Sequence, residues 1–246
     1  MRKNETLTFN GISLSDYNCF YDGSQLWRKP EKMVDYYSVP GKNGDVQVSQ
    51  DKYSNITRPF ECHIRKDWNK NYNSLINELS AVNGYARFET TEEPEVFMMA
   101  SFESQIEPSM WQFNDRGTFT LNFNFKPQKW LKMGENAIEI NNTKSLINPT
   151  NFDAFPLIEL VGTGSITINS SVLTLSANTS TTFIDCEIQD AYEGTINRNG
   201  DLTIQGGFPV LTQENTITVS GFSSCKIYPR WWRLWRSSTT RNPYQH

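Results

Sequence analysis

Two carboxylates close together in the sequence are residues whose types and spacing could do chemistry. Asp185 and Glu187 lie two positions apart, and the apolar alternation around them predicts that they share one face of a strand. Glycoside hydrolysis needs such a pair, with one carboxyl as the acid and the other as nucleophile or base. Nothing in the surrounding sequence would give the two carboxyls these different roles. We therefore interpret them as residues of a solvated outer face and predict no catalytic residue.

Arginine and tryptophan alternate in the C-terminal run 228–236, which is the most unusual composition in the chain. Such a run can mark a membrane surface or a platform for stacked nucleic acid. It also suits a closing strand, because large side chains fill the core of a sandwich of short strands. We favour the closing strand.

The remaining candidates for catalysis or metal binding are isolated in the sequence. His63 follows Cys62 in a predicted strand, and the second histidine is the terminal His246. Metal sites need clustered ligands, so we predict neither a metal nor a cofactor. The four cysteines are far apart and are expected to be reduced thiols of a protein made in a cytosol. The acidic run 91–95 is interpreted as a loop tip.

Composition excludes several functional classes. The chain has 246 residues, 20% of them charged, and a formal net charge of −4. That balance is typical of a folded globular protein and gives no electrostatic footprint of a nucleic-acid binder. No apolar run approaches the length of about 20 residues that spans a bilayer, so no membrane partner is expected.

The first half of the sequence predicts an α+β domain with one helix. Phe119, Leu121, Phe123 and Phe125 alternate with polar residues, which predicts the main strand of its core. Asn10-Gly11 between apolar alternations predicts a hairpin. A helix is predicted from the apolar stripe at three- and four-residue spacing, whose members are Trp68, Tyr72, Leu75, Ile76, Leu79 and Val82.

The second half predicts an all-β domain. About eight short apolar runs, separated by glycine- and asparagine-rich turns, indicate a β-sandwich or jelly roll. The predicted domain limits are 1–130 for the N-terminal domain, 131–155 for a connector, 156–236 for the sandwich and 237–246 for a tail. The fold class is therefore mainly β.

A loop dense in proline and glycine lies between two predicted strands of the first domain. Its length and stiffness suit a projecting hairpin that could add to the sheet of a neighbouring subunit. A simple connector is the alternative. The candidate residues for the subunit interface are Val39, Pro40, Gly41, Lys42, Asn43, Gly44 and Asp45.

Taken together, several segments in fixed order resemble one family, the distal tail proteins of long, non-contractile-tailed bacteriophages. The chain departs from the family at Lys42, where arginine is frequent. The matching segments are 9–12 (FNGI), 14–17 (LSDY), 38–45 (SVPGKNGD), 84–87 (GYAR), 125–130 (FKPQKW), 148–150 (NPT), 155–158 (FPLI), 184–187 (IDCE) and 229–232 (PRWW).

The resemblance implies a structural virion protein and not an enzyme. It implies an N-terminal belt domain that forms a homohexameric ring, and a galectin-like C-terminal sandwich outside it. The ring would sit in the baseplate at the tail tip, below the tail tube protein and above the tail-associated lysin or fibre. Receptor-binding proteins for host adhesion would dock at its periphery, and DNA would pass through without specific binding. Synthesis would take place in the cytoplasm of the host.

One alternative from another functional class stays open at the level of sequence. It is a monomeric carbohydrate-binding or glycan-cleaving β-sandwich protein that uses Trp231, Trp232 or the Asp185 and Glu187 pair.

Overall fold

The computed structural model describes residues 4–23, 27–111, 115–177 and 180–234. These residues fall into two compact units, the first comprising those up to Lys129 together with Leu234 and the second running from Trp130 to Arg233. The predicted tail, 237–246, lies outside the described residues, and the predicted domain limits stay predictions.

The first unit contains short and long antiparallel strands and one helix within its described residues. The helix α1 covers Trp68–Ser80, and a 3-10 turn covers Leu14–Tyr17. The strands are β1 (Asn4–Glu5), β2 (Leu7–Phe9), β3 (Ile12–Ser13), β4 (Cys19–Asp22), β5 (Lys32–Ser38), β6 (Asp45–Tyr53), β7 (Ile56–Ile64), β8 (Ala86–Thr90), β9 (Val96–Ser101), β10 (Ser109–Trp111) and β11 (Arg116–Phe125).

The strand β11 organises the core of this unit. Its phenylalanine and leucine side chains at alternate positions are all buried, as the period of two requires. The ring of Phe123 lies 5.1 Å from that of Phe9 and 4.9 Å from that of Phe88, both in edge-to-face geometry. The sheet has the strand order β1-β4-β7-β11-β9-β8-β2-β3, and β10 pairs with the start of β11.

The helix α1 covers one end of this apolar face. Its Trp68, Leu75 and Leu79 are buried, and the indole of Trp68 stacks on the ring of Tyr72 at 4.9 Å. Both of these rings meet Phe119 of β11 edge to face. The predicted helix and its packing against β11 are confirmed. Of the other members of the predicted stripe, Tyr72 and Ile76 are half-buried, and Val82 lies beyond the end of the helix.

From Lys129 onward the described residues form strands and two 3-10 turns, Lys132–Glu135 and Asn199–Asp201. The strands are β12 (Lys129–Leu131), β13 (Ile138–Glu139), β14 (Thr143–Ile147), β15 (Leu157–Val161), β16 (Gly164–Ile168), β17 (Ser171–Leu175), β18 (Thr181–Asp185), β19 (Asp190–Glu193), β20 (Ile196–Asn197), β21 (Leu202–Gln205), β22 (Glu214–Ser220), β23 (Ser224–Tyr228) and β24 (Trp232–Arg233).

Two antiparallel sheets make up the second unit, in the orders β13-β23-β15-β18-β19-β20 and β14-β22-β16-β17-β21. Each sheet buries apolar side chains on one face. The other face of the six-stranded sheet is mixed, since it carries the stacked rings of Phe183 and Tyr192 as well as polar residues. Two such sheets in one compact unit form a β-sandwich, so the prediction of a mainly β fold is confirmed. The buried side chains include Ile158, Leu160, Ile184 and Ile227 of the first sheet and Ile166, Leu173, Leu175 and Ile217 of the second.

Truncating Phe123 tests the central place of β11. Phe123→Ala removes a fully buried ring and leaves a cavity, so we expect a loss of about 3–5 kcal/mol in the free energy of unfolding. Urea denaturation followed by tryptophan fluorescence measures it. The adjacent Asn124 is exposed, so Asn124→Ala is the control. Equal effects of the two substitutions would contradict the assignment of the core.

Candidate assembly surface

The hairpin of β5 and β6, hereafter the arm (residues 32–53), is the most exposed element among the described residues of the first unit. Within the described residues its two strands pair only with each other, with Tyr37 opposite Val46 and Asp35 opposite Val48. The arm continues almost directly into β7, which lies inside the large sheet between β4 and β11. It therefore extends from the end of a strand that the core holds in place.

The tip of the arm contains the residues predicted as interface candidates, 39–45, and all seven are exposed. The N–H of Lys42 donates to the carbonyl of Val39 at 3.1 Å, which closes a turn with Pro40 and Gly41 in its centre. Gly41 has a φ of +78°, the left-handed value that a type II turn requires after proline. The predicted hairpin is confirmed, whereas its role as an interface stays a prediction.

Both faces of the arm carry exposed apolar side chains. On one face Tyr37, Val46 and Val48 lie together, with exposed fractions of 56%, 37% and 47%. The opposite face carries Tyr36, which is 62% exposed. A two-stranded hairpin is only marginally stable alone in water, and exposed clusters of large apolar residues mark interaction sites.

The length and the open edges of the arm suit contact with another chain. The nine residues of β6 extend about 30 Å at roughly 3.3 Å per residue, a distance comparable to the width of a small domain. Both outer edges present backbone N–H and C=O groups that a further strand can pair with. The arm therefore offers backbone edges and apolar side chains at the same place.

A group of buried charged residues lies at the root of the arm. Arg58, just after the arm in β7, makes two hydrogen bonds of 2.9 Å to the carboxylate of Glu92. Lys129 Nζ lies 2.6 Å from Oε1 of Glu93. Each basic side chain is only 4% exposed. We call Trp27, Arg58, Glu92, Glu93 and Lys129 the root cluster.

Trp27 connects the two ion pairs of the root cluster. The guanidinium carbon of Arg58 lies 4.2 Å from the indole centroid, and Lys129 Nζ lies 4.4 Å from it. Cations at this distance are attracted to the indole quadrupole, more strongly where water is excluded. The indole also meets the ring of Phe125 edge to face at 5.0 Å. The cluster therefore joins the charged root to the apolar core.

Sequence reasoning missed the root cluster and was wrong to treat 91–95 only as a loop tip. A signal was present, because Arg58 precedes Phe60, Cys62 and Ile64 in the period-two alternation of a strand. That register places a cation on the apolar face, where it needs a buried acidic partner. The acids lie more than thirty residues away in the sequence, and no local pattern connects them.

The carboxylates proposed for glycan chemistry are engaged in an ion pair. Strand β18 ends at Asp185, so Glu187 lies in the following turn, and the prediction that both share a strand face is wrong. Asp185 accepts two hydrogen bonds from the Arg230 guanidinium at 2.8 and 2.9 Å and the N–H of Glu187 at 3.0 Å. This geometry fixes the turn through a bidentate ion pair.

The two adjacent tryptophans of the C-terminal run have different surroundings. Trp231 is buried, and its carbonyl accepts the N–H of Leu131 at 2.8 Å. Trp232 is half-buried, stacks on Phe152 at 4.5 Å and donates its indole N–H to the carbonyl of Asp153. Both side chains thus take part in packing the second unit. Trp235 lies outside the described residues.

The isolated histidine lies beside an aromatic ring, and the cysteine next to it in the sequence is buried. His63 lies beside Phe20 of β4, and the thiol of Cys62 is buried against that of Cys19. Burial raises the pKa of the Cys62 thiol well above its usual value. Across the part of the chain that the structure describes, no three His, Cys, Asp or Glu residues are grouped to hold a metal ion. None of the described helices has the length and apolar character to cross a bilayer.

Comparison with known proteins rests on the fold. No protein-family model matches the sequence, and no curated protein matches it significantly. The structure is similar to the crystal structure of the SPP1 Dit (gp 19.1) protein, described as a paradigm of the hub adsorption apparatus in phages that infect Gram-positive hosts. The TM-score is 0.68 at 14% sequence identity, over 92% of this chain and 98% of that one. The chain has the Dit fold. The resemblance found in the sequence is confirmed at this level.

A carboxylate on the outer face of the six-stranded sheet provides a test of the sandwich. Glu159 accepts hydrogen bonds from the hydroxyl of Tyr228 at 2.7 Å and from Lys226 Nζ at 3.1 Å. The Tyr228 hydroxyl contributes most to lowering the pKa of Glu159 below its ordinary value of 4.5, and Lys226 adds to it.

Because the folded-state pKa is lowered, the stabilisation is present above the unfolded value and is lost as the pH falls through the folded one. We expect Tyr228→Phe to reduce stability by about 1 kcal/mol at pH 7, with the difference from the wild type shrinking below pH 4.5. Thermal unfolding between pH 3 and pH 7 measures it. Tyr192→Phe, on the same sheet, is the control. A difference that is constant over this range would contradict the prediction.

Proposed function

We propose that this protein is a structural hub of the tail tip in a long, non-contractile bacteriophage tail. The similarity to the SPP1 Dit hub protein, which extends over nearly the full length of both chains, carries this proposal. A match restricted to one sandwich would say little, since sandwiches serve many functions. Here the match covers 92% of this chain and therefore includes residues of both units.

The proposed assembly is a homohexameric ring closed by the arms. In it, each arm packs its apolar side chains and an open strand edge against the next copy. A second copy of this chain suits the arm as a partner, because a head-to-tail contact between identical chains uses two different surfaces and repeats until the ring closes. The arm supplies the projecting surface, and exposed valine and tyrosine side chains supply the apolar contact area.

Other virion proteins complete the proposed assembly. The ring joins the tail tube protein above to the tail-associated lysin or fibre below, and receptor-binding proteins attach at its periphery. The protein acts at the tail tip of the virion after synthesis in the cytoplasm of the host. Its function is assembly and host adhesion, and catalysis is no part of it. The ion pair of Asp185 with Arg230 and the packing of both tryptophans favour this role over a glycan-binding or glycan-cleaving one.

The channel of the proposed ring lets DNA pass without binding it. A net charge of −4 on every copy supports this, because phosphates are retained by clusters of lysine and arginine.

Substitution of the valine-bearing face of the arm tests ring formation. In the proposed assembly the wild type has six times the mass of one chain. Tyr37→Ser combined with Val48→Ser removes exposed apolar contact area from this face. We expect the protein concentration at which half of the chains are assembled to rise at least about tenfold, since truncating a residue at the centre of an interface costs more than about 1 kcal/mol. Native mass spectrometry over a dilution series measures it.

The control for the arm variant is Ile188→Ser, which removes an apolar side chain of comparable exposure from the second unit. Its assembly should match that of the wild type. A wild-type protein that stays monomeric at every concentration would contradict the ring. Unchanged assembly of the arm variant would instead exclude the arm from the interface.

Retention of DNA tests the proposed channel separately. We expect purified rings to show no binding of duplex DNA by gel shift at physiological salt, because the acidic protein offers no net attraction to phosphate. A control at low salt reveals any weak electrostatic binding. Tight, salt-sensitive binding would contradict passage without retention.

A further inference from the structure

The root cluster places charge where an apolar core would be more stable. Moving a charged group out of water costs several kcal/mol, and an ion pair recovers this only when its geometry is good. Replacing a buried pair with apolar side chains of similar size is often neutral or stabilising. Stability alone is therefore a weak reason for charge at this position, and a requirement for fixed geometry is a stronger one.

The root cluster includes residues from both segments of chain that flank the arm. Trp27 lies shortly before β5 begins at Lys32, and Arg58 lies shortly after β6 ends at Tyr53. The N–H of Ser54 also donates to the carbonyl of Glu31 at 2.9 Å, which joins the two segments between cluster and arm. The ion pair of Arg58 with Glu92 holds the segment after the arm to the β8–β9 loop. The segment before the arm is held through the ring of Trp27, which lies against Arg58 and against Lys129, the partner of Glu93 in the same loop.

We infer that the root cluster positions the arm, by fixing the direction in which it leaves the sheet, and so decides whether copies close into a ring of uniform size. The inference rests on the proposed function. A closed ring of six needs every contact to turn by about 60°, so errors in direction accumulate around it. An arm of about 30 Å that pivots by about 10° moves its tip by about 5 Å, which is more than a side-chain contact tolerates.

Directional hydrogen bonds meet this requirement better than apolar packing does. The two parallel bonds of Arg58 to Glu92 fix an orientation as well as a distance. Apolar side chains repack with small losses and would leave the arm stable but variable in direction. The cluster thus acts on the interface through the arm, and its residues need not touch the neighbouring copy.

The test replaces one ion pair by apolar side chains of similar length. In Lys129→Met with Glu93→Leu, we expect thermal unfolding at or above the wild-type temperature, while the fraction of closed six-membered rings falls at least about tenfold. Open chains and rings of mixed size should replace them. Native mass spectrometry gives the size distribution, and negative-stain microscopy shows whether the rings are closed.

Two controls separate positioning from general loss of charge. Lys226→Met with Glu159→Leu removes an ion pair of the second unit and should leave ring closure unchanged. Lys129→Arg retains the cation over Trp27 and should keep rings of uniform size.

A second test variant makes a smaller change at the other ion pair. Glu92→Gln should remain folded and lower the yield of closed rings.

The outcomes are distinguishable. A wild-type protein without rings contradicts the proposed function itself. Wild-type rings together with an equal yield of uniform rings in the apolar double variant overturn the positioning role. Should that variant fail to fold, Glu92→Gln decides, and an unchanged ring yield in that variant overturns the inference.

Discussion

Packing of phenylalanine rings along β11 is the interaction on which the rest of the first unit depends. The rings of Phe123 and Phe125 contact those of Phe60 on β7 and Phe88 on β8, so the apolar face of one strand fixes the register of its neighbours. Since the arm is the continuation of β7, the same packing fixes the point from which the arm leaves the sheet. A surface that lies outside the core thus takes its position from the core.

The root cluster also fixes the position of the arm, at the boundary between the core and the solvent. Trp27 contacts the apolar ring of Phe125 on one side and two cations on others, so it belongs to the core and to the ion pairs at once. Charges held this way are expensive to separate, because each would be left buried without its partner. The root of the arm is therefore much harder to deform than the arm itself, whose strands pair only with each other among the described residues.

The elements that depend on local periodicity could be predicted from sequence. The alternation in β11 and the stripe on α1 both show in the sequence which side of the element faces the core. The Asn10-Gly11 pair likewise predicts a turn, because these two residue types tolerate the positive φ angles found there. The root cluster could not be predicted in this way, because its acids and bases meet only after the sheet has formed. The end of β18 was also missed: Asp185 bonds the backbone of its own turn, and alternation alone does not show where a strand stops.

An arm that exposes apolar residues must still leave the free protein soluble. Its large side chains are divided between two faces, with Tyr37 and two valines on one and Tyr36 on the other, so neither face presents them all. Each added copy also brings a net charge of −4, which opposes indiscriminate association and is screened by salt. Weak apolar contact and like-charge repulsion together favour association only where the geometry is right. In the proposed ring the direction of the arm would then be the deciding variable, since a contact that is weak in isolation is reinforced only when every copy in the ring makes it.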